Sequence, residues 1–480
     1  TGKDQTELTV CVRVGGYGAL SNGEAWFKDI SMEKLASHSG HAVDFSLATV
    51  SAADNAADED ESTEGDFPES GRVMLAVLAT VFFGAIIYGR FIETEQLTLE
   101  AEQNGDGARF AAILVFAFIV RVVCSLVFYG HPTDINCFMA WGYHLNEGGL
   151  AAFYNSGMFA DYPPGYMYVL YITSGIAKLL GLSYASAAYA LITKMPGILA
   201  DIISAYVVYR LAKKLAKNGC KDAARWGRLP LVLAAVVAIS PLFAFLSGGW
   251  GQIDQVLALM LLLTIWLFDE KKEILAGVVY GAAIMTKPQA LMVGPLLAAA
   301  YFCRIYDERE HRAKQAAKTV AAVIGAVAML FIIAWPFKGE QQPLWFLDKL
   351  IGTATSYNYG SVEAFNLMAL LGGNWKNADS VLFIFTYAQL GTVLIALSVA
   401  ASILMYIKGH GRNRGCLALS AGYLIIALFE LGHYMHERYL VPALLLILVA
   451  FVYYRDRRLF VSFLWLTAAA LYNACYAFII

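Results

Sequence analysis

Residues His131–Tyr166, HPTDINCFMAWGYHLNEGGLAAFYNSGMFADYPPGY, form a polar, aromatic, proline-punctuated island in a chain dominated by apolar runs. The topology turns on the helix that begins at its far end. Segment 164–181, begun by Pro164 and rich in Tyr, reads either as a span or as a helix lying in the interface. A span takes roughly 20 apolar residues, fewer where a helix is broken. The other candidates are 72–91, 110–129, 187–212, 230–247, 252–269, 273–286, 288–303, 317–336, 381–407, 415–432, 439–454 and 459–479. Basic loops occur at Arg210–Arg228, Lys271–Lys272, Arg304–Lys318, Lys408–Arg414 and Arg455–Arg458, and all fall on one side only if 164–181 does not cross. The expected fold is therefore an all-α polytopic membrane protein, with about twelve transmembrane helices, external juxtamembrane helices and both termini outside.

The composition agrees. Of 480 residues 59% are hydrophobic and 15% charged, with a mean hydropathy of +0.56, far above the roughly 45–50% apolar share of a soluble domain. The net charge of −3 says little, because the charges are segregated along the chain. Seven scattered cysteines give no disulfide or zinc framework, and no cofactor is expected. The first residue is Thr and no basic-then-apolar leader opens the chain, so a processed product or fragment is expected.

Ahead of the spans, ELTVCVRV (Glu7–Val14) alternates as a strand, and Gly23–Leu35 reads as a second after a GGYG turn. Two strands do not stand alone in water. Residues 1–43 are read as the C-terminal strands of a truncated β domain, similar to the closing strands of carbohydrate-binding jelly-roll modules. Residues 44–71 are an acidic, small-residue linker. Residues 72–109 would add an extra transmembrane helix and a cytoplasmic loop, leaving 110–480 as the main transmembrane domain.

The same bookkeeping gathers the polar motifs on the face opposite the basic loops. Asp134 follows a span in a Pro-Thr turn; it reads as a helix N-cap or as a general base, whose partial desolvation would raise its basicity. Asp161 and Tyr162 precede Pro163-Pro164, which holds the carboxylate on rigid backbone, as an N-cap or a functional acid. Lys194 and Asp201 share a helix face within one span: Lys194 would hold a phosphate or snorkel, and deeper Asp201 would organise packing. Trp250, Gln252 and Asp254 suit sugar hydroxyls, although Trp250 alone reads as an interface anchor. Lys287-Pro288 breaks two short helices, as at a cavity wall. His433, His436, Glu437 and Arg438 form a dense ionisable cluster suited to phosphate; they lack HExxH spacing, and no metal site is assigned. The stretch 357–373 suits either a lid or structural packing.

Taken in order, Asp134, DYPP, Lys194 with Asp201, GWGQID, TKPQ and HYMHERY resemble the pattern of GT-C membrane glycosyltransferases, from about Ala111 to the C-terminus. Among these the chain is similar to the lipid-phosphate-glucose-dependent glucosyltransferases of asparagine-linked glycan assembly and to bacterial mannosyltransferase-like relatives. The resemblance implies a polyprenyl-phosphate sugar donor, inversion, and a glycan, lipid or protein acceptor at the bilayer, with no nucleic acid partner. It implies Asp134 as catalytic base, Asp161 and Tyr162 as the second acidic motif, and Lys194, His436 and Arg438 at the donor phosphate. Trp250, Gln252, Asp254, Lys287, His433 and Glu437 would then meet sugar or acceptor. A transporter or flippase of a lipid-linked sugar is the alternative; it would show paired halves, and none is visible.

Overall fold

A computed structural model describes residues 106–217, 229–355 and 357–479. The β remnant, the acidic linker, the extra span 72–91 and most of the 72–109 segment lie outside the described residues, as does part of the first basic loop.

Numbering only helices of ten residues or more, the chain builds α1 (Asp106–Val127), α2 (Pro132–Gly148), α3 (Pro164–Leu179), α4 (Ala187–Lys217), α5 (Leu229–Ala238), α6 (Asp254–Asp269) and α7 (Glu273–Thr286). It continues with α8 (Gly294–Asp307), α9 (Arg312–Ala334), α10 (Trp345–Thr355), α11 (Tyr387–Gly409), α12 (Cys416–Leu431), α13 (Val441–Tyr454) and α14 (Arg457–Ile479). A two-stranded antiparallel hairpin, β1 (Val381–Leu382) with β2 (Phe385–Thr386), precedes α11. Among the described residues seven helical stretches are long and apolar enough to cross a membrane, and α7, α12 and α13 are shorter apolar helices. The expected count of about twelve is not reached among them.

Burial sorts these helices. The core of α13, from Val441 to Val452, is buried on every face, the pattern of a helix at the centre of a bundle. By contrast α1, α9 and α11 turn Phe116, Ile119, Ile324, Ile332, Val393 and Leu397 outward. So much exposed apolar surface needs a lipid-like surround. α3 is about 24 Å long at 1.5 Å per residue, short of the roughly 30 Å hydrocarbon core. It packs on α2, α4 and α7. Its approach to α7 depends on Gly165, where a Cβ would stand 2.3 Å from the Met285 carbonyl oxygen.

Two expected spans are rebuilt. The 230–247 segment breaks at Pro241, because proline cannot donate to the preceding turn. After α5 and one short turn comes a π-helical segment, Phe245–Trp250, closed by Gly251 at φ +88°. The 381–407 segment begins as the hairpin, and α11 starts only at a capping box between Thr386 and Gln389. The long 338–380 connection is structured: Val362 N–H donates to the Met435 carbonyl at 2.9 Å, and Tyr434 N–H to that of Tyr359 at 3.2 Å. This bonding favours the packing alternative for 357–373.

Candidate active site

One end of the bundle gathers the C-termini of α1, α7 and α12 and the N-termini of α2, α6 and α13. Asp134 lies in the first turn of α2, begun by Pro132 behind an N-cap at His131, so Asp134 is not the cap. Its Oδ2 accepts from Trp250 Nε1 at 2.6 Å and lies 3.4 Å from His131 Nδ1, while Oδ1 is 3.9 Å from an Arg438 terminal nitrogen. The Asp134 side chain is 19% exposed and that of His131 27%. Arg438, 12% exposed, completes this mouth.

Beneath it the charges are buried and paired. Lys287 Nζ donates to Asp254 Oδ1 at 2.7 Å, and Arg438 Nε stands 3.4 Å from Asp254 Oδ2. Arg438 also pairs with Glu437, whose Oε2 is 3.8 Å from His436 Nδ1. Tyr162 O–H donates to Gln252 Oε1 at 3.4 Å. Lys287 Nζ lies 5.8 Å from the Tyr162 ring and equally far from that of Tyr439. Gln252 Nε2 is buried and has no protein partner, a donor free for a ligand. Asp161 lies at the rim, where Tyr357 O–H donates to it at 3.3 Å; the cap of α3 is Pro163.

The electrostatics reverse one expectation. Burial pushes the Asp134 carboxyl up, but Arg438, His131 and the Trp250 N–H together hold it well below the usual carboxylate range. Desolvation therefore does not raise its basicity here, because the cations at the mouth outweigh it. Asp161 moves the other way, raised by burial and then by the charge of Asp134. Burial, followed by the charges of Arg438 and Lys287, drives His436 well below its ordinary value and keeps it neutral.

Three other expectations change. Lys194 neither snorkels nor faces a ligand: it is 1% exposed, and its ammonium donates to the carbonyls of Phe128, Gly248 and Gly249 at 2.7, 2.9 and 3.2 Å. Those three bonds use every donor it has. Trp250, also 1% exposed, is not an interface anchor, and its ring is covered. His131 stacks on it at 4.9 Å and the Arg438 guanidinium stands 5.5 Å from its centroid, so it orients Asp134 instead of presenting a face to sugar. His433 turns to Gly391 of α11 and meets Tyr434 edge-on, away from the charged cluster. Asp201 does organise packing, with a partner absent from the sequence reading: Arg121 Nε donates to it at 2.9 Å. An arginine inside a span was the available signal. His131, Tyr357, Tyr439 and Lys349, which donates to the Ala160 carbonyl, were also missed.

No group of three or more His, Cys, Asp or Glu side chains suited to a metal ion occurs among the described residues. An acid at a mouth beside a long-armed cation, over a buried ion-pair network, can accept a proton while the cation stabilises negative charge developing beside it. No curated protein matches the chain. The model of glycosyltransferase family 87 matches residues 159–430, more than half of the chain; Asp134 precedes the matched stretch and Arg438 follows it. That match sides with an enzyme over a transporter of lipid-linked sugar. With its apolar helices it makes the protein an integral membrane glycosyltransferase with a sugar donor and an acceptor. The GT-C resemblance read from the motifs thus meets a matching family, and the chain belongs to glycosyltransferase family 87, a GT-C-type membrane glycosyltransferase family.

Proposed function

We propose that this glycosyltransferase moves a hexose, mannose or glucose, from a polyprenyl-phosphate carrier to a glycan, lipid or protein acceptor at the extracytoplasmic face, with inversion and with Asp134 as general base. The observation that carries this is the partly exposed Asp134 carboxylate, aimed by Trp250 and set 3.9 Å from Arg438 at the mouth. The acceptor oxygen attacks the anomeric carbon on the face opposite the phosphate and gives its proton to Asp134. The bond from that carbon to the phosphate oxygen breaks, and polyprenyl phosphate leaves with the electron pair. Arg438 stabilises the growing phosphate charge, His436 lines that subsite as a neutral group, and Asp161 and Tyr162 position the acceptor side. Asp254 and Glu437 hold Arg438, Lys287 braces Asp254, and these groups together with Gln252 contribute polar atoms to the sugar.

The low basicity of Asp134 has a place in this scheme. A donor phosphate draws the field of Arg438 onto itself and returns basicity to Asp134, so the base is strongest when the donor is bound. The test is Asp134→Asn in purified full-length protein, assayed with a panel of prenyl-phosphate sugars for release of free prenyl phosphate. A general base contributes about 10²–10⁴-fold, and a loss in that range is expected with the melting temperature little changed. Full transfer by a folded variant would remove Asp134 from the role.

A further inference from the structure

The other end of the bundle carries a cavity of about 310 Å³, at the small end of ligand-sized pockets. Its distance from the mouth follows from α6, which starts at Asp254 in the active site and ends some 23 Å away at Asp269 in the cavity wall. The walls come from separate elements: the α6–α7 turn with Lys271, the end of α8 with Arg304 and Asp307, the end of α11 with Tyr406 and His410, and the loop through Arg412 and Arg414 to α12. Four cations thus face two carboxylates.

Part of this wall is held in place. The Arg304 guanidinium lies 4.5 Å from the Phe268 ring centroid and donates to the Phe268 carbonyl at 3.3 Å and to Glu273 Oε1 at 3.4 Å. His410 stacks on Tyr406, with Nδ1 2.7 Å from the Ile407 carbonyl oxygen and Nε2 3.1 Å from Asp307. Asp307 is therefore engaged within the wall. The rest is less committed: the Arg414 charge acts on Asp269 in the same wall, while among the described residues the exposed side chains of Lys271 and Arg412 make no hydrogen bond or ion pair. A cation on a flat surface is solvated and contributes little. Several converging on a concave floor, one preset by its neighbours, match the oxygens of a phosphate.

We propose that this cavity binds a phosphate-bearing anion, either the headgroup of an anionic phospholipid from the adjoining leaflet or a soluble phosphate compound. The site is separate from the glycosyl-transfer mouth and does not depend on the assignment of its residues.

The experiment uses the full-length chain. One arm titrates inorganic phosphate against chloride at equal ionic strength in neutral detergent; the other compares nanodiscs of phosphatidylglycerol with nanodiscs of phosphatidylcholine. Thermal stabilisation is read in both. Arg412→Ala/Arg414→Ala is compared with Lys314→Ala/Arg457→Ala, which removes the same charge outside the cavity. In whichever arm stabilises the wild type, the cavity variant is expected to weaken the response at least about tenfold, while the control stays within about twofold. A response only in nanodiscs identifies the headgroup, and one only to inorganic phosphate identifies a soluble ligand. The proposal is overturned if neither arm stabilises the wild type, if the cavity variant behaves as wild type, or if both variants lose equally.

Discussion

Arg438 touches three carboxylates at once, Asp134 at the mouth, Asp254 below and its neighbour Glu437, and its removal changes all of them. Because Arg438 is the largest influence holding the Asp134 carboxyl down, Arg438→Gln raises that carboxyl and protonates it at higher pH. The acidic limb of the pH–rate profile should then move towards neutrality, with a higher KM for donor; an unmoved limb would separate Arg438 from the base. The linkage has the same sign for stability. A depressed carboxyl stabilises the fold above its unfolded pKa of about 4 and loses that contribution as pH falls, so the variant should be less stable near neutrality and less sensitive to acid. At this scale the sequence was a good guide to residue types and a poor one to their duties. Asp134, Asp254, Lys287 and Arg438 were legible because ionisable groups beside spans are costly. The three-carbonyl grip on Lys194 and the covered ring of Trp250 were not, since both depend on backbone from segments far away in sequence.

Arg121 joins three helices: its Nε meets Asp201 of α4, and one terminal nitrogen donates to Ala117 within α1 and to the Ala238 carbonyl at the end of α5. Arg121→Met strands a buried carboxylate and should destabilise the protein by about 3–5 kcal/mol, whereas Arg121→Met/Asp201→Leu should recover much of that loss. Denaturant unfolding in a defined micelle measures both. The Gly165 contact makes a second element-scale prediction. Gly165→Ala pushes α3 away from the end of α7 and should cost about 1–3 kcal/mol. It should also lower transfer, because Lys287 follows that end directly. Helix existence was legible from apolar runs, while the interruptions were less so. Pro241 carried a signal for the break in 230–247 that the span reading passed over, and the π-helical turn that delivers Trp250 has no local code.

For the molecule as a whole, charge placement carried the most. Every motif loop was assigned opposite the basic loops, and α6 and α7 run between the site of paired acids and cations and a basic end. Cysteine introduced at exposed Lys376, in the loop near the mouth, should react with an impermeant maleimide in intact cells, and cysteine at Arg412 only after permeabilisation. The reverse pattern would place transfer on the cytoplasmic face. The number of spans was less legible, because helices of 14 to 16 residues such as α7, α12 and α13 complete the interior without the length that marks a span.

Lys194 has one more consequence. Its ammonium closes the end of α1 at Phe128 and the π-helical turn at Gly248 and Gly249 with one charge, satisfying carbonyls that helix ends leave open. Neither end can fray without releasing the other. Amide hydrogens around Val127 and around Trp250 should therefore exchange with deuterium in a single correlated opening, and Lys194→Met should let the two regions exchange at independent rates.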